Sequence, residues 1–226
     1  MTPPLVVDID GTMTRPTGDA RERSIDPRAL DALHDWPAPV VVATGKAFPY
    51  PVALCSFLGI DERVVAENGG VVLAAEEVRY AGDPDAARAV AEAFVEAGYD
   101  LGWGPVDTAN RWRETEVAVS LEAPEAPLRE VASDHGMAVV DTGYAYHVVA
   151  PEVDKGEGLR EVGALLGIGP DEFVAVGDSE NDAPTFEVVG RSFAVANADE
   201  AARSAADEVT DGVHADGLLE ALDRIR

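Results

Sequence analysis

The junction Leu5-Val6-Val7-Asp8-Ile9-Asp10-Gly11-Thr12 constrains the fold of this chain more than any other stretch. Three apolar residues, two of them β-branched, predict a short buried strand. That strand runs directly into two carboxylates spaced i, i+2. In an open α/β sheet, ligands gather outside the carboxyl ends of the strands, so Asp8 falls where chemistry is usually done. Two neighbouring acids repel one another unless a proton or a cation lies between them. A hard cation with oxygen ligands, most simply Mg²⁺, suits them. Gly11 permits a sharp departure of the backbone. The plainer alternative is an Asp-rich turn after a strand, so the rest of the chain has to supply the context.

The pattern repeats along the chain. Val40-Val41-Val42-Ala43 reads as a second buried strand, ending in Thr44-Gly45-Lys46. Val64-Val65-Ala66 reads as a third, followed by Glu67-Asn68-Gly69-Gly70, where a plain hairpin turn is expected. Phe173-Val174-Ala175-Val176 is fully apolar and ends in Gly177-Asp178-Ser179-Glu180-Asn181-Asp182. Between these runs lie helical segments with recognisable starts and stops. Asp26-Pro27 is a helix N-cap followed by proline, and Gly59 and Gly167 stand where helices end. Residues 13–24 are polar and read as a loop or flap over the end of the first strand.

Between about residues 80 and 150 the pattern changes to strand pairs with interleaved helices, as in a small α+β unit. We therefore expect an α/β protein with a doubly wound parallel sheet and an inserted α+β cap. The core spans residues 1–79 and 151–226, and the cap spans 80–150.

Composition excludes several functional classes. Of 226 residues, 43 are acidic and 17 basic, for a formal net charge of −26. Such a surface repels nucleic acid and anionic membranes. The acids are spread along the whole chain, which fits a protein of a salt-rich cytoplasm, where screening removes most self-repulsion. The single cysteine, Cys55, excludes an internal disulfide framework and lies in an apolar stretch, as a buried structural thiol would. No leader-like or membrane-spanning run is evident, so a cytoplasmic location is expected.

Asp8, Asp10, Thr44, Lys155, Asp178 and Asp182 together suit phosphoryl transfer. A carboxylate can take the phosphoryl group covalently, a second can shuttle the proton, and a hydroxyl and an ammonium can hold the phosphoryl oxygens. Distal carboxylates can complete an Mg²⁺ shell.

In these residues and their order, the chain resembles the haloacid dehalogenase superfamily over its whole length. Asp8-Ile9-Asp10-Gly11-Thr12, Thr44-Gly45, Lys155 and Gly177-Asp178-Ser179-Glu180-Asn181-Asp182 match its four motifs. The insertion is similar to a type II cap, closest to the small caps of archaeal phosphoglycolate phosphatases and their sugar-phosphatase relatives.

The resemblance implies that Asp8 is nucleophile and metal ligand, and that Asp10 is acid/base with its backbone carbonyl toward the metal. It implies that Thr44 and Lys155 bind the phosphoryl group and that Asp178 and Asp182 complete the Mg²⁺ site. Asn181 is expected to support the loop or Lys155. The implied enzyme is a monomer or homodimer acting on a small phosphorylated metabolite, with 2-phosphoglycolate favoured. A sugar-phosphate phosphatase or a phosphomutase is the alternative, and a non-catalytic phospho-receiver a more distant one.

The role of Lys46 stays open between a solvated lysine and a phosphate contact. In the cap, His147 is expected to be a satisfied histidine. Arg111 and Arg113 flank Trp112; a carboxylate on the substrate would call for a cap cation near it, but surface ion pairing is the expected role of both.

Overall fold

The computed structural model describes residues 2–15 and 24–226. The expected flap over residues 16–23 lies outside the described residues. Its flanks are tied down, with Met13 buried and Thr14 bridging Ile25 in antiparallel fashion.

The first half of the chain is β1 (Leu5–Asp8), α1 (Pro27–His34), β2 (Val40–Ala43), α2 (Pro49–Leu58), β3 (Val64–Ala66), β4 (Val71–Ala74) and β5 (Glu77–Tyr80). Then come α3 (Pro84–Glu96), β6 (Val117–Ser120), α4 (Glu125–Asp134), β7 (Ala138–Asp141) and β8 (Ala145–Val149). The remainder is α5 (Lys155–Leu166), β9 (Val174–Gly177), α6 (Ala183–Phe186), β10 (Arg191–Ala194), α7 (Glu200–Ala205), β11 (Glu208–Val209) and α8 (His214–Ile225). As expected, Asp26 caps α1, and Gly59 ends α2 in the left-handed conformation.

An eight-stranded sheet runs in the order β11-β10-β9-β1-β2-β3-β4-β5. All neighbours from β11 to β3 are parallel, whereas β3-β4 and β4-β5 are antiparallel. The sheet is therefore not parallel throughout. The link from β3 to β4 is only residues 67–70, and a parallel neighbour needs a far longer crossover.

Side chains alternate across the sheet. Leu5, Val7, Val40 and Val42 face one apolar layer with Leu33, Cys55 and Leu218. Val6, Val41 and Val65 face the other, with Leu159, Val162 and Phe186. Both faces are covered by helices, which explains why the strands read as continuous apolar runs.

The chain builds outward from β1 through β2 to β3, then returns to lay β9 against the other side of β1. The direction of winding thus reverses between β1 and β9. Helices crossing to opposite faces leave a crevice there, and this is the switch point where open α/β sheets bind ligands.

A separate three-stranded antiparallel sheet, β6-β8-β7, carries α3 and α4. Val90, Phe94, Leu128, Val119 and Val148 form its own apolar core.

Candidate active site

Asp8 is the last residue of β1, and Asp178 directly follows β9, so both carboxylates stand at the crevice. Gly11 is needed at two levels. Its φ is +84°, and a Cβ there would lie 2.0 Å from Asp178 Oδ2. Only glycine satisfies both conditions without strain. The turn it permits brings Thr12 round, and the Thr12 hydroxyl donates to Asp178 Oδ1 at 3.0 Å.

Lys155 is the first residue of α5 and is fully buried. A helix N-terminus is an unfavourable place for a cation, so the site must hold it by other means. Its Nζ donates to Asp8 Oδ1 at 2.8 Å, to Asp182 Oδ1 at 2.7 Å and to Asn181 Oδ1 at 3.2 Å. Burial works against its charge, but the two carboxylates prevail and raise its pKa above the usual lysine value.

Asp182 also closes its own loop, accepting from the backbone N–H groups of Asp178 and Ser179 at 2.9 and 3.1 Å. One carboxylate thus fixes both the lysine and the turn that presents Asp178.

Asp8, Asp178 and Asp182 offer oxygens that all lie within 4.8 Å of one another. Burial, reinforced by the neighbouring acids, pushes the Asp8 pKa up to about 7 and that of Asp178 well above the carboxylate range. Three buried acids against one lysine is an excess of negative charge. A divalent cation with a preference for oxygen would relieve it, so the residues fit such an ion.

The side chain of Asp10 stands apart from this trio and forms an ion pair with Lys46, Nζ to Oδ2 at 2.8 Å. Lys46 is thus neither free in solvent nor shown against a phosphate; it is the partner of Asp10. Only two lysines occur in the chain, Lys46 and Lys155, and both contact carboxylates of this cluster.

Thr44 follows β2 and is buried, its hydroxyl accepting from the Lys46 N–H at 3.2 Å. Asp8, Asp10, Thr44 and Lys46 line one side of a cavity of about 250 Å³. All six expected site residues therefore converge at one place.

Residues near the second sheet complete the wall, and here one expectation needs correcting. Arg113 is no surface ion pair: its side chain is 8% exposed, and it pairs with buried Glu116 while lining the cavity. It comes from an irregular segment folded against the core, where its Nη1 donates to the Gly45 carbonyl at 2.8 Å. Asn68 lies in the expected hairpin turn between β3 and β4 and also reaches the site. It occupies the left-handed region (φ 54°), donates to Glu116 Oε2 at 2.7 Å and accepts from Asn181 Nδ2 at 2.8 Å. His147 is satisfied, as expected, by Glu116 Oε1 at 2.9 Å, and it also lines the cavity.

Glu116 and Thr12 were not singled out in the sequence. Thr12 had a signal in its place within the first motif. Glu116 had none, because Asn68 and His147, which fix it at the site, are distant in the chain.

The family model of haloacid dehalogenase-like hydrolases matches residues 5–101 and 122–222. A phosphoglycolate phosphatase of Natronomonas pharaonis is 61% identical, covering 100% of this chain and 99% of the relative. Another of Halorubrum lacusprofundi is 60% identical, covering 100% and 98%. Among solved structures, a Thermoplasma acidophilum protein superposes with a TM-score of 0.84 at 24% identity, covering 100% of this chain and 98% of its own. The chain belongs to the haloacid dehalogenase-like hydrolase family.

Proposed function

We propose that this protein is an Mg²⁺-dependent phosphomonoester hydrolase that removes phosphate from 2-phosphoglycolate through an aspartyl-phosphate at Asp8. The observation that carries the reading is the meeting of Asp8, Asp178, Asp182 and Lys155 at the sheet's switch point. The names of the relatives support the substrate.

In this reading an Asp8 oxygen attacks phosphorus as the ester P–O bond breaks, and Asp10 gives its proton to the departing alkoxide. Asp10 then takes a proton from water, whose oxygen attacks the same phosphorus. The P–O bond to Asp8 breaks, releasing inorganic phosphate and restoring the carboxylate. Lys155 and Thr44 hold the phosphoryl oxygens throughout. Lys46 orients the Asp10 carboxyl through their ion pair. Asp8, Asp178 and Asp182, with the Asp10 backbone, would hold Mg²⁺, which supplies charge neutralisation between nucleophile and phosphate. Residues 80–150 act as a cap domain over this site, with 1–79 and 151–226 as the catalytic core.

The test is phosphate release from a panel of small phosphomonoesters in molar KCl, with Mg²⁺ and with chelator. The proposal expects 2-phosphoglycolate to be the best substrate and chelation to abolish turnover. Preference for a sugar phosphate, or activity indifferent to chelator, would contradict it.

A further inference from the structure

The cavity is lined by a further cation that the chemistry above does not use. Arg113 donates through Nε to the Ala109 carbonyl at 2.9 Å and through Nη1 to the Gly45 carbonyl at 2.8 Å, and it pairs with Glu116. Glu116 is itself fixed from two further directions, by His147 and by Asn68. Asn68 is tied to Asn181, and Asn181 to Lys155. The guanidinium is therefore held at a set position relative to the phosphoryl-binding lysine by an unbroken series of buried hydrogen bonds. Its second terminal nitrogen, Nη2, makes no hydrogen bond with the described residues.

Burial lowers the Arg113 pKa to about 10, so the group is still a cation at neutral pH. Among the residues lining the cavity, the cations are Lys46 and Arg113, and Lys46 is engaged by Asp10.

The cavity, at about 250 Å³, suits a small ligand. With the phosphoryl group against Thr44 and Lys155, the remainder of a short ester lies in the cavity that Arg113 lines. A buried arginine with a free N–H edge recognises a planar anion there better than a hydroxyl or an alkyl group.

We infer that Arg113, positioned by Glu116, binds a carboxylate on the substrate and selects short phosphomonoesters that carry an acid beside the phosphate. This rests on the hydrolase reading above and names the feature of the substrate that the site selects.

The test compares kcat/KM for 2-phosphoglycolate and for 2-phosphoglycolamide, in which a carboxamide replaces the carboxylate. In the native protein the acid should be preferred by roughly ten- to a hundredfold, the worth of one charge-assisted contact. In Arg113→Gln that preference should fall to about one, chiefly through a higher KM for the acid, and Arg113→Lys should recover part of it. A merely structural arginine would lower both esters together and leave their ratio intact, which overturns the inference. So does a native enzyme that does not distinguish the two esters.

If neither variant folds, glycolate titrated into the native protein decides the matter. The NMR signals of the Arg113 guanidinium should move, and unmoved signals overturn the inference. Failure to hydrolyse either ester would instead contradict the hydrolase reading.

Discussion

Lys155 illustrates how a residue that is costly alone becomes indispensable in company. Buried at a helix N-terminus, it is stable only as a cation between Asp8 and Asp182. Lys155→Ala removes the charge from both the ground state and the transition state, so kcat should fall and KM should rise. A combined loss of about a hundredfold or more in kcat/KM is expected, and unchanged kinetics would show that another cation holds the phosphate.

His147 provides a pH signature. Its burial, aided by the nearby cations Arg113, Lys155 and Lys46, holds its pKa well below 6.5. The unfolded chain then binds a proton that the folded protein does not, so stability rises with pH in that window. The contribution is present in full above about pH 6.5 and is lost as pH falls through the folded value. Urea midpoints measured between about pH 5 and 8 should therefore decline toward acid, and His147→Gln should flatten part of that decline. An unaltered slope in the variant would assign the effect elsewhere.

At the scale of elements, the site is a set of chain turns whose geometry is enforced locally. The Asp154 side chain accepts from the Glu157 N–H at 2.8 Å and caps α5 immediately before Lys155. Asp154→Ala should cost about 1 kcal/mol of stability and depress kcat, because fraying of that first turn moves the lysine. Denaturant titration and steady-state rates check both effects.

Gly11→Ala should be more severe, costing at least ~1–3 kcal/mol from the backbone conformation alone. The added methyl would also displace Asp178. These features were readable in advance, since an apolar run followed by Asp-x-Asp-Gly, or by Gly-Asp-x-x-x-Asp, announces both the strand and its departure. The helix start at Asp26-Pro27 was equally plain. The cluster of Arg113, Glu116 and His147 was not. Arg113 and Glu116 lie three residues apart in the irregular segment before β6, but His147 comes from β8, and no periodicity or spacing brings it to them. The hairpin turn expected at 67–70 announced the antiparallel β4, whereas β5, exposed along most of its length, carried no apolar run to mark its direction.

Across the whole molecule, one fact about charge organises the rest. The chain carries a formal charge of −26, yet it places both of its lysines against the carboxylates of one site. Elsewhere arginines pair with some of the acids, as in Arg28–Asp26 and Arg191–Glu208, but the acids far outnumber them, and the remaining repulsion depends on screening. Thermal midpoints should accordingly rise as KCl increases from low to molar concentration, and a flat dependence would contradict the reading of the charge as a salt adaptation. The two-layer core and the inserted sheet were legible because each strand is bounded by polar turns. The contact between insertion and core was not, since it is made by single polar side chains.

The central claim is that the phosphoryl group passes through Asp8. Acid quenching of the Mg²⁺-loaded protein during turnover of 2-phosphoglycolate, followed by peptide mass spectrometry, addresses it most directly. One phosphoryl group should be found on the peptide that contains Asp8, and none should appear in Asp8→Asn. Its appearance on another residue, or full turnover by the Asp8→Asn protein, would contradict the account.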